Sequence, residues 1–341
     1  MEAMSLSLRW GILGTGAIAR KFAAELPHSQ TGSLQAVGSR SASSAESFAR
    51  DFPVKSHYGS YEALLQDPEV DAVYITTPHP WHATWAIAAA QAGKHILCEK
   101  PFTMNLAEAE AVIAAAREHD VFLMEAFMYR FHPRTRRIAE LVEGGTIGTI
   151  KLIQASFGFA PIFKAESRLF NKALGGGGIL DVGCYATSIT RLVAGAAAGK
   201  PFENPIELQG MSLTGETEVD FVAMANLKFP NDLLAQISCG VGLRQANELV
   251  IFGDKGRITV PAFWVPPGPI HVLHYADDTS SVIETDSFAF RYALEADAVA
   301  ESLAARQSPL MSWADTLGNM QTLDAWRKAI GLSYEADLAN A

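Results

Sequence analysis

The sequence predicts an α/β protein of two domains, and three observations carry that expectation. Over the first third of the chain, short apolar runs alternate with helical stretches, the grammar of a parallel sheet joined by helical crossovers. A glycine-rich turn, Gly14-Thr15-Gly16, sits between the first such run and the first helix. After about Phe127 strand-like runs follow one another with little helix between them, as in an antiparallel or mixed sheet. A length of 341 residues suits two domains of ordinary size, placed at residues 1–126 and 127–341.

The elements of the first domain read in order. Arg9 to Leu13 is a strand, Ala17 to Leu26 a helix, Leu34 to Gly38 a strand, and Ser44 to Asp51 a helix. Val70 to Ile75, apolar but for Asp71, is a run of the kind buried in parallel sheets. Thr84 to Ala92 is helical and stops at Gly93. His95 to Cys98 is a strand, Leu106 to Glu118 a helix, and Val121 to Glu125 a strand. In the second domain, Pro133 to Val142 is helical, Thr149 to Phe159 is a strand, and the run from Gly175 opens a helix. Strands are expected at 206–214, 219–229, 233–243, 248–251 and 257–260, the last two joined as a hairpin by Gly253-Asp254-Lys255-Gly256. Helices return at 291–305 and 313–330.

Composition narrows the partners. A formal charge of −10 argues against a nucleic-acid-binding body and against an anionic membrane as main partner. The three cysteines, Cys98, Cys184 and Cys239, form no metal or disulfide pattern. With no secretory-type start and no long apolar run, a cytoplasmic location is expected.

The turn after the first strand is G-x-G-x-x-A. Gly14 permits the tight turn, Gly16 lets backbone approach a pyrophosphate, and Ala19 allows close strand–helix packing. The amides of Thr15, Ala17 and Ile18 at the helix start then face an anion. This is a Rossmann-type dinucleotide site. The second strand ends Ser39-Arg40-Ser41 where an NAD site usually carries an acid. A guanidinium and hydroxyls suit a 2′-phosphate, so NADP is expected over NAD.

Three further segments fall at strand ends or a helix start: Thr76-Thr77-Pro78-His79-Pro80-Trp81-His82, Glu99-Lys100-Pro101, and Gly175-Gly176-Gly177-Gly178-Ile179-Leu180-Asp181-Val182-Gly183-Cys184-Tyr185. The four glycines read as a close backbone approach to ligand. His79, Pro78 and Trp81 read as the nicotinamide side, and His82 as a helix cap or ligand contact. His79 and His82 lack a carboxylate to complete a metal site, and no metal is expected. At about 100° per residue, Asp181, Tyr185 and Ser188 share one side of a helix, and Ile179, Val182, Ala186, Ile189 and Val193 another. By themselves these positions read rather as a first-turn acid and an amphipathic boundary tyrosine than as a site.

In these four motifs, in order and spacing, the chain resembles the Gfo/Idh/MocA oxidoreductases over essentially its whole length. Tyr185 stands where many inositol-type members have His, and Glu125 to Pro133 also matches the branch of dimeric dihydrodiol dehydrogenase, xylose dehydrogenase and glucose–fructose oxidoreductase. The resemblance implies hydride transfer on the CH–OH group of an aldose, cyclic polyol or vicinal diol. It implies that Lys100 reaches nicotinamide ribose and substrate oxygen. A free phenol has a pKa of ~10, and a neighbouring ammonium favours its phenolate. Tyr185 is therefore expected as acid/base, Lys100 as its electrostatic partner, and Asp181 as the orienter of a substrate hydroxyl. Glu99 is expected near the cofactor, and Tyr129, Arg130 and Arg168 near the substrate. An aldose–aldose oxidoreductase with tightly bound NADP and a non-catalytic NADP sensor are the alternative readings. A sheet face left without helices predicts a homodimer or a dimer of dimers.

Overall fold

A computed structural model of the chain describes residues 7–264, 268–285 and 290–338. The first six residues, on which the reading of the start partly rests, and the last three lie outside them. The chain divides into two compact units. One is Met1–Thr103, Ala107–Phe131 and Ala289–Thr316; the other is Met104–Leu106, His132–Phe288 and Leu317–Ala341.

The first unit runs β1 (Leu8–Leu13), α1 (Ala17–Glu25), β2 (Gly32–Gly38), α2 (Ala42–Asp51), β3 (Ser56–Tyr58), α3 (Tyr61–Leu65), β4 (Ala72–Ile75), α4 (His82–Gln91), β5 (His95–Glu99), α5 (Leu106–Glu118) and β6 (Leu123–Ala126). The six strands are all parallel in the order β3-β2-β1-β4-β5-β6. The order reverses between β1 and β4, and ligands of such sheets bind at that point, beyond the carboxyl ends of the strands. The continuous apolar runs are explained by burial on both faces: every residue of β4 is buried. The three-residue β3 and five-residue α3 were not legible in the sequence, because neither is long enough to show a period.

This unit also takes in a late stretch of chain that a single cut after residue 126 leaves with the second domain. The physical reason is α8 (Arg291–Ser302), which packs on α1 and buries Tyr292, Ala293, Ala296 and Val299. Asp297 of α8 accepts hydrogen bonds from Ser29 Oγ (2.5 Å) and from the amides of Gln30 (2.9 Å) and Thr31 (3.0 Å).

The second unit is built from α6 (Pro133–Glu143), β7 (Ile150–Gly158), α7 (Cys184–Ala197), β8 (Glu207–Thr214), β9 (Asp220–Phe229), β10 (Leu233–Gly240), β11 (Leu249–Gly253), β12 (Gly256–Val260), β13 (Ile270–His274), β14 (Ser280–Ile283), much of α9 (Trp313–Ala329) and α10 (Glu335–Leu338). Its mixed sheet has the order β14-β13-β12-β11-β7-β10-β9-β8. The β7–β10 pair is parallel and the other pairs are antiparallel, including the expected β11–β12 hairpin. Strands β13 and β14 were not anticipated. Helix α7 lies against β7 and β10. On the other face Met211 pairs with Met224 across β8 and β9, and Met211, Leu213, Met224 and Leu234 are 72%, 69%, 50% and 50% exposed. Among the described residues no helix is long and apolar enough to cross a membrane.

Candidate functional site

In the first unit, the candidate residues gather at the β1–β4 switch point. Gly14 has φ +122°, and a Cβ there would lie 2.4 Å from Thr76 Oγ1, so only glycine fits. Its amide donates to the Gly38 carbonyl (2.9 Å), while Thr76 donates through Oγ1 to the Leu13 carbonyl (2.9 Å). The turn thus knits the ends of β1, β2 and β4. Gly16 precedes α1 in an extended conformation, and a Cβ there would meet nothing within 4 Å. Gly16 and Ala17 are exposed, Thr15 and Ile18 half-buried, and Ala19 buried against the sheet as its small size requires. No acid occupies the first turn of α1, which leaves its positive end to a bound anion.

Past β2, Ser39 is buried, Ser41 caps α2, and Arg40 is exposed with its guanidinium 5.9 Å from the Trp81 ring centre. Arg40 also bonds the Tyr61 hydroxyl and so offsets part of the rise that burial imposes on that phenol. The cation is thereby held between two aromatic side chains.

Past β4, Thr77 is buried, and its Oγ1 has no hydrogen-bond partner among the described residues. Pro78 leads into the turn His79–Trp81, where His79 is buried with its ring centre 5.8 Å from that of His82. His82 is buried at the start of α4. Its Nδ1 lies 2.9 Å from the Pro101 carbonyl and its Nε2 2.7 Å from the Thr77 carbonyl. Its ring therefore ties the β4 motif to the β5 motif. Burial lowers its pKa, the two carbonyls oppose that, and the charge of Lys100 adds to it.

At the end of β5, Glu99 accepts from the Tyr74 hydroxyl and, at 3.2 Å, from the Lys100 amide. Burial and the Glu99 charge push the Tyr74 phenol well up, so it remains a donor. Lys100 is half-buried, and the Lys100–Pro101 peptide is cis. Beneath this motif, Glu295 of α8 is fully buried, and neither of its carboxyl oxygens has a hydrogen-bond partner among the described residues. Neither Tyr74 nor Glu295 was singled out in the sequence, since both are read there as ordinary element residues.

Tyr129 and Arg130 lie buried in the turn Met128–Phe131. Arg130 pairs with Asp315 and donates to the Leu310 carbonyl (3.3 Å).

In the second unit, Asp181 lies in the π-helical stretch Ile179–Gly183 and Tyr185 in the first turn of α7. Such one-turn π stretches gather at functional sites. Arg168 donates to Asp181 Oδ1 at 2.7 Å; its own side chain is half exposed while that of Asp181 is buried. The division into an apolar face and a ligand face is not visible as exposure, because Asp181, Tyr185 and Ser188 are as buried as Ile179 and Val182. The Tyr185 ring meets Phe157 and Trp264 edge-on, with centres 5.3 and 5.5 Å away, and those two rings stack at 5.1 Å. Trp264 is fixed in turn by its Nε1–H, which donates to the Ser156 carbonyl (2.7 Å). The sequence placed Phe157 within the 149–159 strand and passed over Trp264.

The glycine run corrects an expectation. Its close approaches are to the protein itself. A Cβ on Gly176 would meet the backbone of Asn171 and Leu169 at 2.9 Å, and one on Gly177 would meet Asp220 Oδ1 at 2.3 Å. Among the described residues, no group of three or more His, Cys, Asp and Glu side chains could hold a metal ion.

The residues at the switch point fit a dinucleotide: a glycine opening onto free space, an acid-free helix start and an unsatisfied threonine hydroxyl. Fold and turn together define an oxidoreductase of the Rossmann class. Residues 8–127 match the NAD-binding Rossmann fold of the Gfo/Idh/MocA oxidoreductase family, and residues 135–259 match that family's C-terminal domain. The chain belongs to this family. It is 35% identical to trans-1,2-dihydrobenzene-1,2-diol dehydrogenase of Danio rerio, over 97% of this chain and 99% of that protein. It is 34% identical to D-xylose 1-dehydrogenase (NADP(+)) 2 of Haloferax volcanii, over 93% and 96%. The structure of KijD10, a 3-ketoreductase from Actinomadura kijaniata in complex with NADP and TDP-benzene, superposes with a TM-score of 0.83 at 28% identity, over 95% and 98% of the two chains.

Proposed function

We propose that this chain is an NADP-dependent oxidoreductase acting on a CH–OH carbon of an aldose, cyclic polyol or vicinal diol. Tyr185 is the acid/base, Lys100 its electrostatic partner, and Asp181 the orienter of a substrate hydroxyl. The single observation that carries the reading is the Gly14–Gly16 turn, closed to any side chain at Gly14 and open at Gly16, at the switch point of a parallel sheet. NADP over NAD is supported by the Arg40 guanidinium held at Trp81 past β2 and by the dependence named in the Haloferax relative.

The nicotinamide supplies the hydride acceptor or donor when bound. The chain supplies everything else. The amides of Thr15, Gly16, Ala17 and Ile18 and the Ser39–Arg40 end hold phosphates. Thr76 to His79, Glu99 and Lys100 border the nicotinamide end, with His82 securing their backbone, while Trp81, first read with them, lies beside Arg40 at the 2′-phosphate end. Removing the hydroxyl proton of a carbinol falls to the Tyr185 oxygen, and the Lys100 ammonium favours the anionic oxygen during that transfer. Asp181, itself oriented by Arg168, accepts from a second substrate hydroxyl, and Tyr129 contributes to the substrate end. The aromatic brace of Phe157 and Trp264 restricts the Tyr185 ring, which keeps its oxygen in one place.

The helix-free face of the second sheet leaves Met211, Leu213, Met224 and Leu234 exposed, and these are the side chains that a second copy in a homodimer would cover. The three buried free thiols suit a cytoplasmic setting. The test is a panel of aldoses, inositols and vicinal diols, following absorbance of reduced nicotinamide with NADP and with NAD. NADP-linked turnover on at least one class is the expected result. Tight NADP binding with no turnover on any class would replace this reading with that of a sensor.

A further inference from the structure

We propose that Asp220 is a positioning residue for Asp181 and Tyr185: an internal carboxylate, seated in the glycine turn, that fixes the start of the helical stretch bearing both. The proposal rests on the roles assigned to those two residues above.

Asp220 opens β9 and is 1% exposed. Its Oδ2 accepts the Ile179 amide at 2.7 Å. A Cβ on Gly177, at φ +114°, would sit 2.3 Å from Oδ1, and one on Gly178 would sit 3.2 Å from Oδ2. Gly177 is thus required by this carboxylate. Tyr334, whose hydroxyl lies 3.2 Å from the same Gly177 Cβ position, donates to the Gly176 carbonyl. Helix starts leave amides unsatisfied and carry positive potential, and a buried anion there is the complementary partner. Ile179 begins the π-helical stretch, two residues before Asp181 and six before Tyr185. Loosening its amide shifts the register from which both side chains project.

The charged and titratable groups facing Asp220 are Arg327 of α9, Tyr334 and, on β10, Cys239. Arg327 is shared with Asp324 and Asp337, each at 2.6 Å, so it neutralises Asp220 only in part. Oδ1 has no hydrogen-bond partner among the described residues. Burial pushes Asp220 up to about 7, against the pull of the Ile179 and Gly178 amides and Arg327. The ionised carboxylate is the stronger acceptor, so the helix start tightens as pH rises through neutrality. Global stability moves the other way: a raised acid pKa contributes stability below 3.8 that is lost as pH rises through about 7. The two trends separate positioning from mere stabilisation.

The test is Asp220→Asn in the full chain. Removing one charge-assisted hydrogen bond is expected to lower kcat by roughly tenfold or more. The NADP dissociation constant stays unchanged, and the acid limb of kcat near neutrality is lost. Wild-type kcat and an unaltered pH profile in the variant would overturn the proposal. Hydrogen exchange over residues 179–185 reads the same contact without turnover. In the wild-type chain, protection corrected for intrinsic rates is expected to rise through about pH 7. A flat profile there overturns the proposal, even if the variant fails to fold. Absence of turnover in the wild type would instead strike at the functional reading and leave the exchange measurement to decide Asp220.

Discussion

The buried ring of His82 spans two backbone carbonyls, lying 2.9 Å from that of Pro101 and 2.7 Å from that of Thr77. One side chain thus holds together the strand ends that carry Thr76, Thr77 and Lys100. Replacing it with Phe keeps the volume and removes the one N–H that the neutral ring donates, at about 1–3 kcal/mol for the buried carbonyl left unsatisfied. His82→Phe is expected to lower the urea midpoint and raise KM for NADP more than KM for the second substrate. Because burial lowers the His82 pKa below 6.5, its stability contribution is present above that value and lost as pH falls through the folded pKa. Chemical denaturation from pH 8 to 5 should show this acid loss in the wild type and a smaller one in His82→Phe.

Tyr185→Phe retains the edge contacts to Phe157 and Trp264 while removing the hydroxyl. Turnover is expected to fall by about 10²–10⁴-fold, the usual value of general acid–base help, with the thermal midpoint unchanged. Steady-state kinetics beside a melting curve would check both, and wild-type turnover would remove Tyr185 from the chemistry.

Arg40→Ala takes away the cation poised at Trp81. Hydrogen bonds to charged groups contribute about 1.5–3 kcal/mol, so affinity for NADP should drop by roughly 10- to 150-fold, while NAD binds as before. Fluorescence titration with both nucleotides reads this directly. Parallel losses for the two would show that Arg40 supports the fold and not the 2′-phosphate.

Glu295 is fully buried, and burial, then the charges of Glu99 and Glu25, raise its pKa well above 4.5. A raised acid pKa means that its contribution is present below 4.5 and lost as pH rises toward the folded value. Glu295→Gln keeps the shape and removes the titration. The variant is expected to be more stable than wild type at pH 8 and equal to it at pH 4. A variant less stable at pH 8 would mean that the ionised carboxylate has a favourable partner.

The sequence by itself determined the features that depend on local pattern. Apolar runs alternating with helical segments marked β1, β2, β4, β5 and β6, Gly14 and Gly16 marked the turn, and Gly253 to Gly256 marked the β11–β12 hairpin. Each is a short-range constraint, set by period or by glycine backbone freedom, and so is readable from neighbouring residues. Tertiary structure alone decided which distant groups meet. It returned α8 to the Rossmann unit, set Phe157 and Trp264 against Tyr185, bound His82 to Pro101, and filled the glycine turn with Asp220 from another strand. Those pairings arise from burial and from satisfying buried polar groups across long chain separations, and no spacing in the chain encodes which partner arrives.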